Sequence, residues 1–294
     1  MKTIGRRGGA LMARLLWAIS WLVLAAGTAH GQGRILATGG VTEIEGAGGG
    51  GIVPWALIAG YGTQDEIGVT ASTTYLDISD FRLQSASVAV GLHDRVEVSL
   101  ARQRFGLGST VPGHSIQLDI VGLKMRAFGD AVYDQDRWLP QIALGLQYKH
   151  NRDYDFIPKA IGASNGTGTD FYVAATKLFL AGAAGRNVLL NATMRATKAN
   201  QLGILGFGGD LNDRYRLVFE GSVALFLTDR IGVGYEYRQK PNNLSAFREQ
   251  AYQDVFVAWL PNKHVALTVA WAKLGQIADK KRQDGLYLAG QLGF

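Results

Sequence analysis

Arg230-Ile231-Gly232-Val233-Gly234-Tyr235-Glu236-Tyr237-Arg238 alternates apolar with small or charged side chains without a break. Successive side chains of an extended chain point to opposite sides, so Ile231, Val233, Tyr235 and Tyr237 form one face. The glycines, Glu236 and Arg238 form the other. The same pattern recurs elsewhere. Ile142, Leu144, Leu146 and Tyr148 alternate with Ala143, Gly145, Gln147 and Lys149; Val188, Leu190, Ala192 and Met194 alternate with Asn191, Thr193 and Arg195; Val265, Leu267, Val269 and Trp271 alternate with Ala266, Thr268 and Ala270. Roughly ten-residue alternating segments broken by turn residues predict a chain made of antiparallel strands.

Alternation alone also suits a soluble sheet with one wet face. Two features favour a barrel in lipid. The apolar faces often finish in an aromatic, at Tyr148, Tyr237, Trp259 and Trp271, with Trp55 in an early segment, as the headgroup belts of a membrane barrel require. The connections also come in two lengths, short near 93–95, 183–186, 228–230 and 261–263, and long near 106–114, 150–168, 198–213, 240–250 and 274–283. Thirteen strands are legible, the first at 55–62 and the last at 284–294. An even count needs one more, which Arg34 to Glu45 supplies. The expectation is an all-β, transmembrane, antiparallel up-and-down barrel of about 14 strands. The alternative places residues 32–66 in the lumen as a plug and leaves 12.

The first residues read as an address. Lys2, Arg6, Arg7 and Arg14 precede an uncharged apolar run, Leu15 to Ala26, and small residues follow to Gly31. This order predicts a secretory leader at 1–31, cleaved near Gly31. Its apolar run is too short for a membrane helix, which needs about 20 residues. The expected division is then 1–31 leader, 32–54 glycine-rich strand or plug, and 55–294 barrel. Without those four cations, 26 of the 30 basic residues face 24 acidic ones, which leaves no electrostatic case for a nucleic-acid partner. The sequence has no cysteine, which excludes disulfides, thiolate metal sites and cysteine nucleophiles.

The final segment alternates Leu286, Leu288, Gly290, Leu292 and Phe294. It resembles the terminal strand of outer-membrane β-barrel proteins, which the barrel assembly machinery reads, so Leu288, Leu292 and Phe294 form the expected assembly signal. Ala37 to Gly46, Gly48 to Gly51 and Ile52 to Gly62 together resemble the opening of an uncharacterised family of proteobacterial outer-membrane proteins of unknown function. The resemblance extends over most of the mature chain. It implies the barrel and its location, and it brings no catalytic residues.

Other motifs carry little chemistry. Gly46 to Gly51 contains the spacing GxGxxG, but Pro54 follows and no βαβ pattern surrounds it. His93, His114, His150 and His264 show no metal-ligand spacing. Ser164-Asn165-Gly166 resembles a fragment of outer-membrane phospholipases, without the histidine two residues upstream, so a membrane hydrolase ranks last. Asp134 with Asp136, and Asp153 with Asp155, lack a calcium-binding frame. No catalytic residue, cofactor or metal is expected. The informative set is the charge opposite the apolar faces: Lys149, Arg195, Arg216, Glu220, Glu236 and Arg238. A Lys or Arg facing lipid at mid-membrane costs about 2–4 kcal/mol, so these residues belong in the lumen. There they would select a small solute by charge in a porin-like channel or transporter. Alternatively, both signs neutralise each other in a filled barrel of structural, assembly or export role. Lys280-Lys281-Arg282, in a predicted outer loop, would meet lipopolysaccharide phosphates, and the apolar faces would meet outer-membrane lipid.

Overall fold

The computed structural model describes residues 33–294, so the leader expected at 1–31 lies outside the described residues. Two short strands, β1 (Val41–Thr42) and β2 (Gly48–Gly49), pair only with each other. Twelve longer ones close a barrel: β3 (Ile67–Ile78), β4 (Arg82–Leu92), β5 (Val96–Gly106), β6 (Ser115–Phe128), β7 (Gln141–Asn151), β8 (Thr167–Ala183), β9 (Arg186–Thr197), β10 (Arg216–Thr228), β11 (Ile231–Arg238), β12 (Tyr252–Asn262), β13 (Val265–Lys273) and β14 (Asp284–Gly293). Each is antiparallel to its sequence neighbour, and β14 returns to β3 with Gly285 opposite Ile78 and Gly293 opposite Thr70. Beyond that ladder, the amides of Val69 and Phe294 each donate to the other's carbonyl at 2.8 Å.

Twelve wall strands match the smaller of the two expected counts; fourteen does not hold. Arg34 to Glu45 and Trp55 to Gly62, read as strands of the wall, lie inside the barrel. The burial pattern gives the reason. Residues 42–62 are buried without interruption, whereas every wall strand alternates. A chain surrounded on all sides has no face to alternate. The lumen therefore holds a plug, as the alternative supposed, and the wall begins at Ile67 rather than at residue 55.

Most side chains facing outward along the wall are apolar. Val233, Val257 and Val269 sit side by side across β11, β12 and β13, and Leu190, Leu123, Leu144 and Leu288 extend the belt. Aromatics ring both ends of this belt. Tyr148, Phe171, Tyr215 and Trp271 stand towards one end, and Phe128, Trp138, Trp259 and Phe294 towards the other. An apolar band between two aromatic girdles is the surface that a bilayer solvates. Trp55 belongs to neither girdle: it is buried in the lumen, where its indole donates to Ser222 Oγ at 2.9 Å.

The connections divide by end. At the turn end they are short around 93–95, 184–185, 229–230 and 263–264, and at the loop end long stretches cover 107–114, 152–166, 198–215, 239–251 and 274–283. Two break the rule: 129–140 is long at the turn end, and 79–81 is short at the loop end. Wall glycines let the plug approach. A Cβ at Gly91 would stand 2.3 Å from the carbonyl oxygen of Ala59. Val257→Arg, in the middle of the outer belt, is expected to cost about 2–4 kcal/mol in urea titrations of barrel refolded into vesicles. Lys281→Glu, in an exposed loop, should leave the midpoint unchanged.

Candidate functional site

The plug enters at the turn end, where Arg34 contacts Asp94 at 3.2 Å and donates to the carbonyl of Ile58 at 3.0 Å. It climbs through Glu43 and Glu45, reverses across Gly46 to Gly51, and returns past Trp55 and Tyr61 to β3. Apart from the two-residue pairing of β1 with β2, this coil has no ladder to satisfy its amides, and each buried group left unpaired costs about 1–3 kcal/mol. Turns within the plug pair some of them, such as Glu43 with Ala47 at 2.9 Å and Gly50 with Val53 at 2.9 Å, and inward side chains of the wall pair many others. Glu97 accepts from the amides of Gly48 (3.0 Å) and Ala59 (2.8 Å), and Lys124 donates to the carbonyls of Gly48 (2.7 Å) and Leu57 (2.9 Å). Glu236 accepts from Gly51 (2.6 Å) and Ile52 (2.8 Å), while Arg238 donates to the carbonyl of Ile52 at 2.9 Å. Ala56 is bracketed: its amide donates to Thr176 Oγ1 at 2.8 Å and its carbonyl accepts from Gln141 at 2.7 Å. Ser85 and Gln103 both donate to the carbonyl of Ile44 at 2.8 Å.

Around the two plug glutamates the wall gathers charge. Glu45 is ion-paired with Lys149 and accepts from Arg238 Nη2 at 2.6 Å, with Arg195 3.7 Å away. Lys149 also contacts Asp170 at 2.6 Å, and Arg195 Nε contacts Glu220 at 2.5 Å. Gln147 links the two parts, accepting from Arg195 at 2.7 Å and donating to Glu43 at 2.7 Å. The Arg195 guanidinium lies over the ring of Tyr172, 5.1 Å from its centroid. That ring covers Gly145, where a Cβ would come within 2.1 Å of it. All these ionised groups are buried, so each depends on the others for compensation. Among the buried oxygens without a hydrogen bond are Glu43 Oε2 and Asp254 Oδ1; Asp254 stands directly opposite Glu236 across β11 and β12.

Five of the six residues expected in the lumen, Lys149, Arg195, Glu220, Glu236 and Arg238, lie inside it on the plug or its network. Arg216 stands apart, exposed at the loop-end rim of β10. Leu288 and Leu292 face outward on β14, and the Phe294 ring lies 6.0 Å from that of His264. Sequence reasoning missed Glu97, Lys124 and Asp170, all on inward positions of alternating strands. It also missed Glu43 and Glu45, whose signal was a pair of acids set in an otherwise uncharged, glycine-rich stretch. Among the described residues no cluster of His, Asp and Glu is arranged to hold a metal ion.

The loop end is closed as well. Residues 198–209 fold inward, so that Leu202, Ile204 and Leu205 pack over Ile44 and Ile52 of the plug. Gln201 and Leu202 both take positive φ, +48° and +64°, which non-glycine residues rarely adopt. The Gln201 side chain holds this geometry through Glu249, Tyr252 and the carbonyl of Gln276. Beside it Lys240 contacts Glu249 at 3.0 Å. Burial lowers the pKa of Lys240 and raises that of Glu249, and their mutual attraction opposes both shifts. Nearer the surface, the hydroxyl and amide of Ser245 hold the Asp210 carboxyl below its ordinary range.

Arg195→Met, which strands three carboxylates, is expected to lower stability by roughly 3–5 kcal/mol in thermal or urea unfolding of the lipid-reconstituted barrel. Arg216→Met should change it by no more than about 0.5 kcal/mol. The Asp210 contact contributes fully above the usual aspartate range and is lost as the pH falls through the lowered value. Ser245→Ala should therefore move the Asp210 carboxyl titration upward, read by carbon NMR.

The barrel is similar in outline to the NanC porin, at 10% identity and a TM-score of 0.49 over 76% of this chain and 98% of that one. It is likewise similar to the KdgM porin, at 8% identity and a TM-score of 0.49 over 76% and 99% of the two chains. The outer-membrane protein Omp33 of Acinetobacter baumannii gives 11% identity and a TM-score of 0.44 over 78% and 97%. No curated protein matches the sequence. Residues 38–291, from the plug into β14, match the model of the family described as protein of unknown function DUF3034, and the chain belongs to that family.

Proposed function

We propose that this protein is an outer-membrane, porin-like barrel that passes a small solute and is closed at rest by its own N-terminal segment. The observation that carries this reading is the way the plug is held. Its backbone is bound by charged and polar side chains of the wall, so the wall behind it carries hydrophilic groups of both signs. Water can take over such hydrogen bonds when the plug withdraws, whereas an apolar wall would have to be dewetted. The opened lumen would present Lys149, Arg195, Glu220 and Arg238 to a passing solute and select by charge. The leader-like sequence at 1–31, with cleavage near Gly31, supports export, and the apolar belt supports contact with lipid. Lys280, Lys281 and Arg282 suit lipopolysaccharide phosphates at the loop end, and Leu288, Leu292 and Phe294 suit recognition by the barrel assembly machinery. A permanently closed barrel of structural role is the second reading, favoured by the number of bonds across the plug.

Conductance in planar bilayers separates the two. The intact chain should be closed for most of the time, and a chain lacking residues 34–62, with the inward segment 199–208 replaced by a short glycine-serine link, should give stable open steps. Ala56→Cys combined with Ala143→Cys places two thiols in one small buried cluster of a cysteine-free protein. Oxidation should abolish openings of the intact chain and reductant should restore them. In the plug-free barrel, Arg238→Glu should shift selectivity towards cations, and Arg216→Glu at the rim should shift it less. Silence from a demonstrably folded plug-free barrel would overturn the channel reading.

A further inference from the structure

At the turn end, between the root of the plug and the wall, lies a cavity of about 500 Å³. Its walls are apolar: Leu36 and Leu57 from the plug, and Val132, Leu178, Leu189 and Phe226 from the barrel. Polar side chains, Asn187, Asp229 and Arg230 among them, gather at its mouth. The volume falls within the range of roughly 300–1,000 Å³ that small-molecule sites occupy.

The barrel wall beside this cavity is unusual. Strand β7 stops at Gln141, opposite Thr176, so the rest of β8 has no strand on that side. The long connection 129–140 takes its place. Leu178 donates its amide to the carbonyl of Ala131 at 2.8 Å, and the Gln135 amide group substitutes for a ladder by donating to the carbonyl of Leu178 (3.0 Å) and accepting from the amide of Leu180 (3.2 Å). Lys177 occupies an outward position yet is buried, its ammonium held by the carbonyls of Asp130 at 3.2 Å, Leu139 at 3.4 Å and Asp134. The same connection carries the exposed rings of Tyr133 and Trp138 at the girdle of this end. The cavity is thus separated from the bilayer interface by a loop pinned at a few points, not by a continuous ladder.

We propose that this cavity binds the aliphatic chain of an amphiphile, with the polar head at Asn187, Asp229 and Arg230. The apolar lining sets the chain, the mouth sets the head, and the loop-built wall gives a membrane-borne molecule a short path in. The assignment does not require the plug to move, so it stands or falls separately from the channel reading. Its test is photolabelling of the full barrel in nanodiscs. In one arm a diazirine-bearing dodecanoate is added; in the other the nanodisc phospholipids carry the diazirine chain. Mass spectrometry should find label on Leu36, Leu178, Leu189 or Phe226, in the first arm if the source is a free amphiphile and in the second if it is the bilayer. Leu189→Trp, which fills the cavity from the wall, should reduce this internal label about tenfold and leave the label on outward Leu190 unchanged. Leu36→Trp, filling it from the plug, guards against a folding defect in the first variant. Label confined to outward residues such as Leu190 and Phe171 in both arms, or internal label indifferent to both substitutions, would overturn the proposal.

Discussion

A coil enclosed by a barrel has almost no neighbouring strand to satisfy its amides, and that constraint sets the character of the whole lumen. The wall must offer donors and acceptors wherever the plug passes, so the inward residues of β5, β6, β8, β9 and β11 are Glu97, Lys124, Thr176, Thr193 and Glu236 rather than aliphatics. The apolar residues displaced from the inside are needed outside, where lipid replaces water. The sheet is apolar on its outer face and mixed on its inner one, polar where the plug backbone must be paired and apolar between, as at Leu83, Ile116, Leu118 and Phe256. One requirement, paired backbone groups in an enclosed space, accounts for the polar and charged groups that face the plug.

The charges follow from the same enclosure. In the central network the wall provides three cations, Lys149, Arg195 and Arg238, and two carboxylates, Asp170 and Glu220, an excess of one positive charge. The plug brings Glu43 and Glu45, which turn that excess into one negative charge when all are ionised. The plug is thus the counter-ion of the wall as well as its filling. This complementarity fixes where the plug stops: Glu45 has partners on β7, β9 and β11 at one level of the barrel only.

How much of this was legible depended on whether a residue belonged to a repeating pattern. The alternation of β11 named Glu236 and Arg238 as inward, and the structure puts both on the plug. Lys149, Arg195 and Glu220 were placed by the same rule. The plug has no period to read. An apolar run such as Trp55 to Gly62 looks the same whether its surroundings are lipid or the inside of a barrel, and so by sequence it reads as a strand. Trp55 reads as a girdle aromatic for the same reason. Phase alone also fails at the margins. Arg216 has the inward phase but lies at the rim, where the wall no longer encloses it. Lys177 has the outward phase but is covered by residues 129–140, a contact that no local pattern announces.

Strand β3 follows the plug directly and is also the strand that meets β14 to complete the ring. The root of the plug is packed against its start, where a Cβ on Gly60 would stand 2.8 Å from the Cα of Gly68. The bonds that hold the plug reach across the sequence, from Gly51 to Glu236 and from Thr42 to Gln291. Such contacts are far apart in sequence, and long loops must close before they form. Closing the ring and seating the plug therefore draw on the same strands, β3 and β14 at the seam and β11 across from it. A segment that enters the wall at its first strand is tethered at the seam, so it stays with the barrel whether seated or withdrawn.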